Sequence, residues 1–560
     1  MSSPPDPHSL ALFSLQPLNE QAKKVVSHPW NQHLTSKLSD GTVVLDIGFH
    51  IQSRSRQTIA TLGRGGDADI FVEGATISKT QCSFEIEPTT NVIMLYDRSH
   101  RGTTQVSGAN AIPFEHGRLR QIVVQHRLND VLGMGGRTKD AVQFKLIWKK
   151  NYQQVTEIIR NRESIISDCV ENPRLARTTD DSETVLPSQM QTRIHTAGPR
   201  QLEIRYIKVD QLGSGHFGVV HKVINVDTGE FLAVKIFQKP EQASKEVEWR
   251  ESLYYALKRE VETLSKISHP HIIDLIGSQG WDGPAAEIFM GLKDGTLDSL
   301  VESGIPWLKE VTGCAFHQML QALDCLAVNG IVHRDVKPEN ILYTALPGAR
   351  YHFQLGDFGL CNRTVDAHSS VGTPLYAAPE VHNHGVQTHK MDIWSLFVTI
   401  AWALDFHGFR QNVSHFKTLQ QAQQALLSIS SKIGEIQEMA RVDPDERASA
   451  AQMLVKCFDG KGLSTKRNRV PPLSPTKPET RPEPELRSVP MATDNYRLAQ
   501  DMRRAPQQPT NLTRVRQPSN PQGRVLGPGN IDRLSTKKHG ILSNIVESPS
   551  FGHGFRVRRP

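Results

Sequence analysis

His333-Arg334-Asp335-Val336-Lys337-Pro338-Glu339-Asn340, followed by Asp357-Phe358-Gly359 and Ala378-Pro379-Glu380, is the stretch on which the reading of this chain turns. Upstream lies Leu212-Gly213-Ser214-Gly215-His216-Phe217-Gly218-Val219-Val220. Its G-x-G-x-x-G spacing alone is weak, because dinucleotide-binding turns share it. Such a turn runs on into a helix and is followed by an acidic residue about 20 positions later. Here Val219-Val220-His221-Lys222-Val223 follows and reads as a strand. The glycines therefore sit in a hairpin, where the missing Cβ lets backbone approach phosphate groups. Ala233-Val234-Lys235 is next, a lysine on an apolar strand that on its own is as readily a solvated charge.

In this order and spacing the five motifs resemble the signature set of the protein kinases, and the resemblance runs from about Arg205 to Gly460. It implies a bilobal α+β fold and transfer of the γ-phosphoryl group of ATP with Mg2+ as cofactor. The roles it implies are those of positioning and charge neutralisation. Leu212, Gly213, Ser214, Gly215, His216, Phe217, Gly218, Val219 and Val220 would cover the nucleotide. Lys235 would hold its α- and β-phosphates, and Glu260 would orient Lys235. Asp335 would take the substrate hydroxyl proton. Asn340 would ligate one Mg2+, and Asp357 would hold the metal bridging the β- and γ-phosphates. Lys337 marks the serine/threonine subclass, and Gly372-Thr373-Pro374 agrees with it. Glu380 and Arg447 resemble the family's buried ion pair. Phe397 stands where the family usually has glycine, and Leu346-Pro347-Gly348 suggests an enlarged hairpin. Ser369, with Ser370 as fallback, is the expected phosphorylation site of the activation segment, which also holds Thr373, and Arg334 is the cation such a phosphate would meet.

From Thr42 to Trp148 short β-rich apolar runs alternate with turn residues, among them Val43-Val44-Leu45, Val92-Ile93-Met94-Leu95-Tyr96 and Phe144-Lys145-Leu146-Ile147-Trp148. This pattern reads as an all-β sandwich or barrel. Thr61-Leu62-Gly63-Arg64, Ile77-Ser78-Lys79-Thr80-Gln81-Cys82 and Asp97-Arg98-Ser99-His100-Arg101-Gly102-Thr103 resemble the motifs of forkhead-associated (FHA) domains, which read phosphothreonine. The resemblance implies that Arg64 and Ser78 grip the phosphate. Two positions depart from the family pattern: Gln81 replaces a structural histidine, and Arg101 replaces an asparagine that holds the peptide backbone. A sandwich of this kind ahead of a serine/threonine kinase resembles the checkpoint effector kinases. That resemblance implies recruitment through phosphothreonine in DNA-damage, cell-cycle or meiotic signalling, with protein substrates, phosphothreonine-bearing partners and a transient homodimer. The alternative is a phosphopeptide-binding scaffold in which catalysis matters little.

Charge is unevenly placed. Residues 461–560 carry 19 Lys and Arg against 7 Asp and Glu, or +12, so the preceding 460 residues carry −5 of the formal +7. This Pro/Ser-rich basic tail reads as disordered, and Thr465-Lys466-Arg467-Asn468-Arg469 is a candidate import signal. No specific nucleic-acid partner is expected. The six cysteines show no C-x-x-C pair, which argues against zinc spacings and a disulfide framework. The apolar run Ile393–Leu404 is too short to span a bilayer and reads as a buried helix. An intracellular protein, nuclear or cytoplasmic, with no membrane contact is the expectation. The domains expected are a disordered start (1–40), the sandwich (41–150), a linker (151–204) with a helix near Val155–Cys169, the kinase domain (205–460) and the tail (461–560).

Overall fold

The computed structural model describes residues 7–53, 55–162, 202–215, 218–240, 254–358, 362–363, 375–383 and 385–474. The amino-terminal part is a β-sandwich of eleven strands: β1 (Ala11–Pro17), β2 (Thr35–Lys37), β3 (Val43–Gly48), β4 (Thr58–Gly63), β5 (Ile70–Phe71), β6 (Cys82–Ile86), β7 (Ile93–Asp97), β8 (Thr104–Ser107), β9 (Gln121–Val123), β10 (Val131–Met134) and β11 (Val142–Trp148). One sheet has the order β2-β3-β1-β11-β10-β8 and the other β5-β4-β6-β7-β9. Phe13, Phe84 and Phe144 are fully buried, and Phe13 meets Phe84 edge-on at 5.0 Å. Aromatic pairs in this arrangement add to the burial of their apolar area.

The disordered start expected over 1–40 is overturned. Residues 7–40 build the sandwich, and β1 lies inside the six-stranded sheet, paired with β3 on one side and β11 on the other. Its one hydroxyl, Ser14, is buried but donates to Asp46 Oδ1 at 2.7 Å, and Asp46 also takes Lys149 Nζ at 2.8 Å. A polar residue that looked like surface in the sequence is thus satisfied by a partner 32 residues away. Helix α1 (Glu20–Ser27) is capped by Asn19, whose side chain accepts from Ala22 N. Asn31, also buried, bonds Val25 O, Phe71 O and Phe71 N, tying this segment to β5. Helix α2 (Tyr152–Arg160) begins earlier than expected because Asn151 and Gln154 form a capping box.

The second part opens with an antiparallel sheet of β12 (Tyr206–Gly215), β13 (Gly218–Asn225), β14 (Phe231–Gln238), β15 (Leu275–Gln279) and β16 (Ala285–Gly291), in the order β12-β13-β14-β16-β15. Helix α3 (Tyr255–Leu264) lies between β14 and β15 in the chain. The rest is mostly helical: α4 (Leu297–Glu302), α5 (Leu308–Val328), α6 (Pro379–His382), α7 (Lys390–Ala403), α8 (Phe409–Asn412), α9 (Leu419–Ser430) and α10 (Ala450–Phe458). Helix α7 is the buried helix expected from the apolar run, with Trp394 and Phe397 fully enclosed. Phe397, in place of the usual glycine, is part of this core. Residues 341–346 and 350–355 form the hairpin that carries the extra Pro347-Gly348 turn. Among the described residues no helix is long and apolar enough to cross a membrane.

The expected end of the folded chain at Gly460 also shifts. Residues 461–474 lie back on the helical lobe, where the buried carboxylate of Asp324 accepts from Ser464 N at 2.8 Å, Thr465 N at 2.9 Å and Thr465 Oγ1 at 2.6 Å. Gln452 Nε2 donates to Pro471 O and Pro472 O, and Leu463 and Leu473 pack on the core. The basic cluster at Thr465–Arg469 therefore begins inside the packed domain, while residues 475–560 lie outside the described residues.

Candidate active site

The glycine hairpin is formed by β12 and β13, with Ser214 opposite Val219 and Gly215 opposite Gly218. Gly218 has φ +142°, and a Cβ there would meet Ile236 O at 2.5 Å, so only glycine lets β13 pass this close to β14. Nothing lies within 4 Å of where a Cβ of Gly213 would point, and Leu212 is 51% exposed above the cleft. His216 and Phe217 lie outside the described residues. Lys235 sits mid-strand on β14, between Val220 of β13 and Ile288 of β16. Its ammonium forms an ion pair with Asp357 Oδ1. Glu260 belongs to helix α3, and its side chain lies outside the described residues.

The loop from His333 to Asn340 is held by the first turn of α7. Asp392, on the first turn of α7, accepts from His333 N through one carboxylate oxygen and from Arg334 N through the other, both at 2.8 Å. Burial raises the Asp392 carboxyl to about 7, against the two amide bonds, which favour its charged form. The sequence signal was the acid opening an otherwise apolar helix. These bonds secure an uncommon backbone: Arg334 is 5% exposed at φ +73°, a left-handed conformation that costs a non-glycine residue on the order of 1–3 kcal/mol. His333 Nε2 bonds Gly356 O at 3.0 Å, and its ring meets Phe358 edge-on, which links the loop to the Asp357 segment. Asp357 is also left-handed, at φ +54°.

Asp335, Lys337 and Asn340 come together as expected. Lys337 Nζ lies 2.8 Å from Asp335 Oδ2. Asn340 Nδ2 donates to Asp335 O at 2.7 Å and to Asp335 Oδ2 at 3.0 Å. With its amide nitrogen committed, Asn340 has its carbonyl oxygen left as an acceptor, the donor type a magnesium ion takes. Asp357 supplies the carboxylate such an ion also needs. Burial opposes its charge, but the Lys235 ammonium outweighs that and holds the carboxyl below its ordinary range. Although deep in the molecule, the Asp357 side chain keeps 44% of its surface open. The chemistry of this donor set fits Mg2+.

Glu380 and Arg447 form the expected buried pair, bidentate at 2.6 and 2.8 Å. The remaining guanidinium donors reach Arg441 O, Lys390 O and Val442 O, and the plane lies over Trp394, so the buried charge is fully answered. Ser369, Ser370 and Thr373 lie outside the described residues.

At one end of the sandwich the loops after β4, before β6 and after β7 converge. Arg64 Nε donates to Ile77 O at 2.7 Å, and its backbone N–H donates to Ser78 O, while the residue stays exposed. A Cβ at Gly63 would fall 1.9 Å from Lys79 O, so the approach of the first two loops requires glycine. Gln81, in the place of the histidine, is fully buried and fully bonded. Its Oε1 accepts from Ser78 N at 2.9 Å, and its Nε2 donates to Thr103 Oγ1 and Thr104 Oγ1. An amide thereby fixes the Ser78 loop against the 97–103 loop with one acceptor and two donors. Arg101 projects, exposed, from the tip of that loop.

The protein kinase domain model matches residues 206–458. A probable serine/threonine-protein kinase of Dictyostelium discoideum is 30% identical over 260 residues, which are 44% of this chain and 50% of that protein. The DNA damage response protein kinase DUN1 of Saccharomyces cerevisiae is 24% identical over 452 residues, 71% of this chain and 83% of that protein. The chain thus spans half the length of the first of these relatives and most of the second. A crystal structure of Rad53 residues 1–466 in complex with AMP-PNP aligns at 20% identity with a TM-score of 0.44, covering 74% of this chain and 95% of that one.

Replacing Asp392 by Asn, which offers one acceptor where two amides need one each, should destabilise the protein by about 1–3 kcal/mol through the unsatisfied buried N–H. It should also lower turnover by loosening the Arg334–Asp335 backbone. Thermal unfolding and initial-rate kinetics check both effects, and a variant with wild-type Tm and kcat would remove Asp392 from this role.

Proposed function

We propose that this chain, which carries a protein kinase domain over residues 206–458, is an active serine/threonine kinase recruited through a phosphothreonine-binding sandwich. The observation that carries the catalytic reading is the pairing of the Asp335–Lys337–Asn340 cluster with the Lys235–Asp357 ion pair. Asp335 is the proton acceptor for the substrate hydroxyl. The hydroxyl oxygen forms a bond to the γ-phosphorus as the bond to the β,γ-bridging oxygen breaks, and ADP leaves with that electron pair. Lys337, beside Asp335, is placed to neutralise charge on the transferring group, and Lys235 to hold the α- and β-phosphates. Mg2+, held by Asn340 and Asp357, would neutralise the β- and γ-phosphate oxygens.

The sandwich reading rests on Arg64 and Ser78 at the convergence of three loops, with Gln81 securing them from below. An exposed guanidinium and a hydroxyl on a rigid scaffold suit a phosphate dianion. DUN1 is named for the DNA damage response, and its similarity over 71% of the chain supports a place in checkpoint signalling with protein substrates. Phosphorylation of Ser369 as the activating event remains part of this reading, with Arg334 beside the catalytic aspartate as its counter-charge.

Asp335→Ala should lower phosphorylation of a peptide substrate by about 10²–10⁴-fold, the scale of a lost general base, while ATP affinity stays close to that of the wild type. Equal turnover in the two proteins would end the assignment. Separately, Arg64→Ala should weaken binding of phosphothreonine peptides by about 1.5–3 kcal/mol. The comparison is a degenerate phosphothreonine peptide pool against its unphosphorylated counterpart, and equal binding of the two pools by the wild-type chain would refute phosphothreonine recognition.

A further inference from the structure

The closed end of one hairpin of the nucleotide-binding sheet enters the hydrophobic core of the sandwich, while the rest of that sheet has cores of its own. Ile224 and Val226, at the closed end of the β13–β14 hairpin, are 1% and 0% exposed and belong to the sandwich core, against which Ile207, Val209 and Phe231 also pack. Strand β9 is the edge of its sheet, and its exposed backbone edge is covered by the kinase hairpin: Val123 N donates to Val226 O at 2.9 Å. Gln121 Nε2 donates to Asp227 O at 2.9 Å. On the other side of the turn, Thr90 Oγ1 donates to Gly229 O at 2.8 Å. Gly229 has φ +76°, and a Cβ there would meet Met94 Sδ of the sandwich at 2.8 Å, so the turn is pressed against β7.

Asp227 is the charged centre of this contact. It takes Arg118 Nη1 of the sandwich at 3.1 Å and both Nε and Nη2 of Arg205, just ahead of β12. Arg118 also pairs with Glu115 at 2.7 Å, and Arg205 reaches Glu115 at 3.3 Å and Pro113 O at 2.6 Å. Two guanidinium groups and two carboxylates balance in charge. Arg118, Arg205 and Asp227 are only 10–12% exposed, so solvent screens them far less than it screens a surface pair.

We propose that the sandwich is a fixed wall of the nucleotide-binding lobe and that Asp227, clamped by Arg118 and Arg205, is a positioning residue for the hairpin that carries Lys235. The clamp grips the closed end of β13–β14. The open end of that hairpin carries Gly218, and Lys235 lies four residues from Phe231, roughly 13 Å along β14 at strand spacing. An open cleft of about 580 Å3, lined by Thr89 and Thr90 of the sandwich and by Phe231, Gly291 and Leu292, brings the same wall up to the chain crossing between the lobes. Freed of the sandwich, the hairpin would expose Ile224 and Val226 and lose its outer restraint, and the phosphate-holding lysine would lose its fixed register over the cleft. This role is independent of whether the sandwich binds phosphothreonine.

The experiment uses the full chain. Arg118→Ala and Asp227→Ala should each raise KM for ATP by roughly three- to tenfold while kcat and KM for the peptide substrate change less than about twofold, the signature of lost ground-state positioning of one substrate. Arg118→Lys, which keeps the positive charge on a single nitrogen, should recover part of the loss. As a second measurement, a protease site placed between residues 170 and 195 is cut in the purified chain. The two pieces should then elute together with unchanged KM for ATP, and they should separate when Arg118→Ala and Asp227→Ala are combined. Wild-type KM for ATP in both single variants would overturn the proposal. So would separation of the cut wild-type pieces with the kinase piece keeping the intact chain's KM.

Discussion

The ion pair between Lys235 and Asp357 joins the two lobes at the point where chemistry has to occur. Lys235 is fixed by strand pairing on both sides, so its ammonium has little freedom to follow a misplaced partner. Asp357 reaches it from a left-handed backbone position, beside a loop whose own left-handed residue, Arg334, is secured by Asp392. Two sparsely populated conformations in one cleft persist only because the surrounding bonds over-determine them. The buried carboxylate of Asp392 and the His333–Gly356 bond provide such bonds, and each links segments separated in the chain. Under the proposed function, a nucleotide would exchange part of the Lys235–Asp357 attraction for contacts between Lys235 and phosphate.

The same dependence on distant partners explains what could be read from the chain and what could not. Asp335, Lys337, Asn340 and Asp357 stand out in the sequence through the motifs that hold them, and the structure brings the first three within hydrogen-bonding reach of one another. Strands such as β6, β7 and β11 were legible from their β-branched and aromatic runs. Strand β1 was not. Its identity as a strand inside a sheet depends on β3 and β11, and on Asp46 accepting from the buried Ser14 hydroxyl. The segment 461–474 failed the same way, because Asp324, some 140 residues earlier, supplies the acceptor for its amides. Gln81 was read as a lost histidine, yet an amide in that geometry makes three hydrogen bonds across the same loops.

The joint between sandwich and kinase lobe had no signature in the sequence. Ile224, Val226 and Asp227 belong to no motif of the sequence. Only the folded chain shows that they enter the core of another domain. Segment 118–121 runs from this joint toward the loop end of the sandwich: Arg118 meets Asp227, while Arg120 meets Asp97 at 2.9 Å.

The role proposed for Asp357 is that it would hold Mg2+ for a bound nucleotide, and the most direct measurement of it is ATP affinity titrated against Mg2+ in the wild type and in Asp357→Asn. The account predicts that Mg2+ tightens ATP binding to the wild-type chain, and that Asp357→Asn loses this metal dependence while still binding nucleotide without metal. An Asp357→Asn protein whose ATP affinity follows Mg2+ as the wild type does would contradict it.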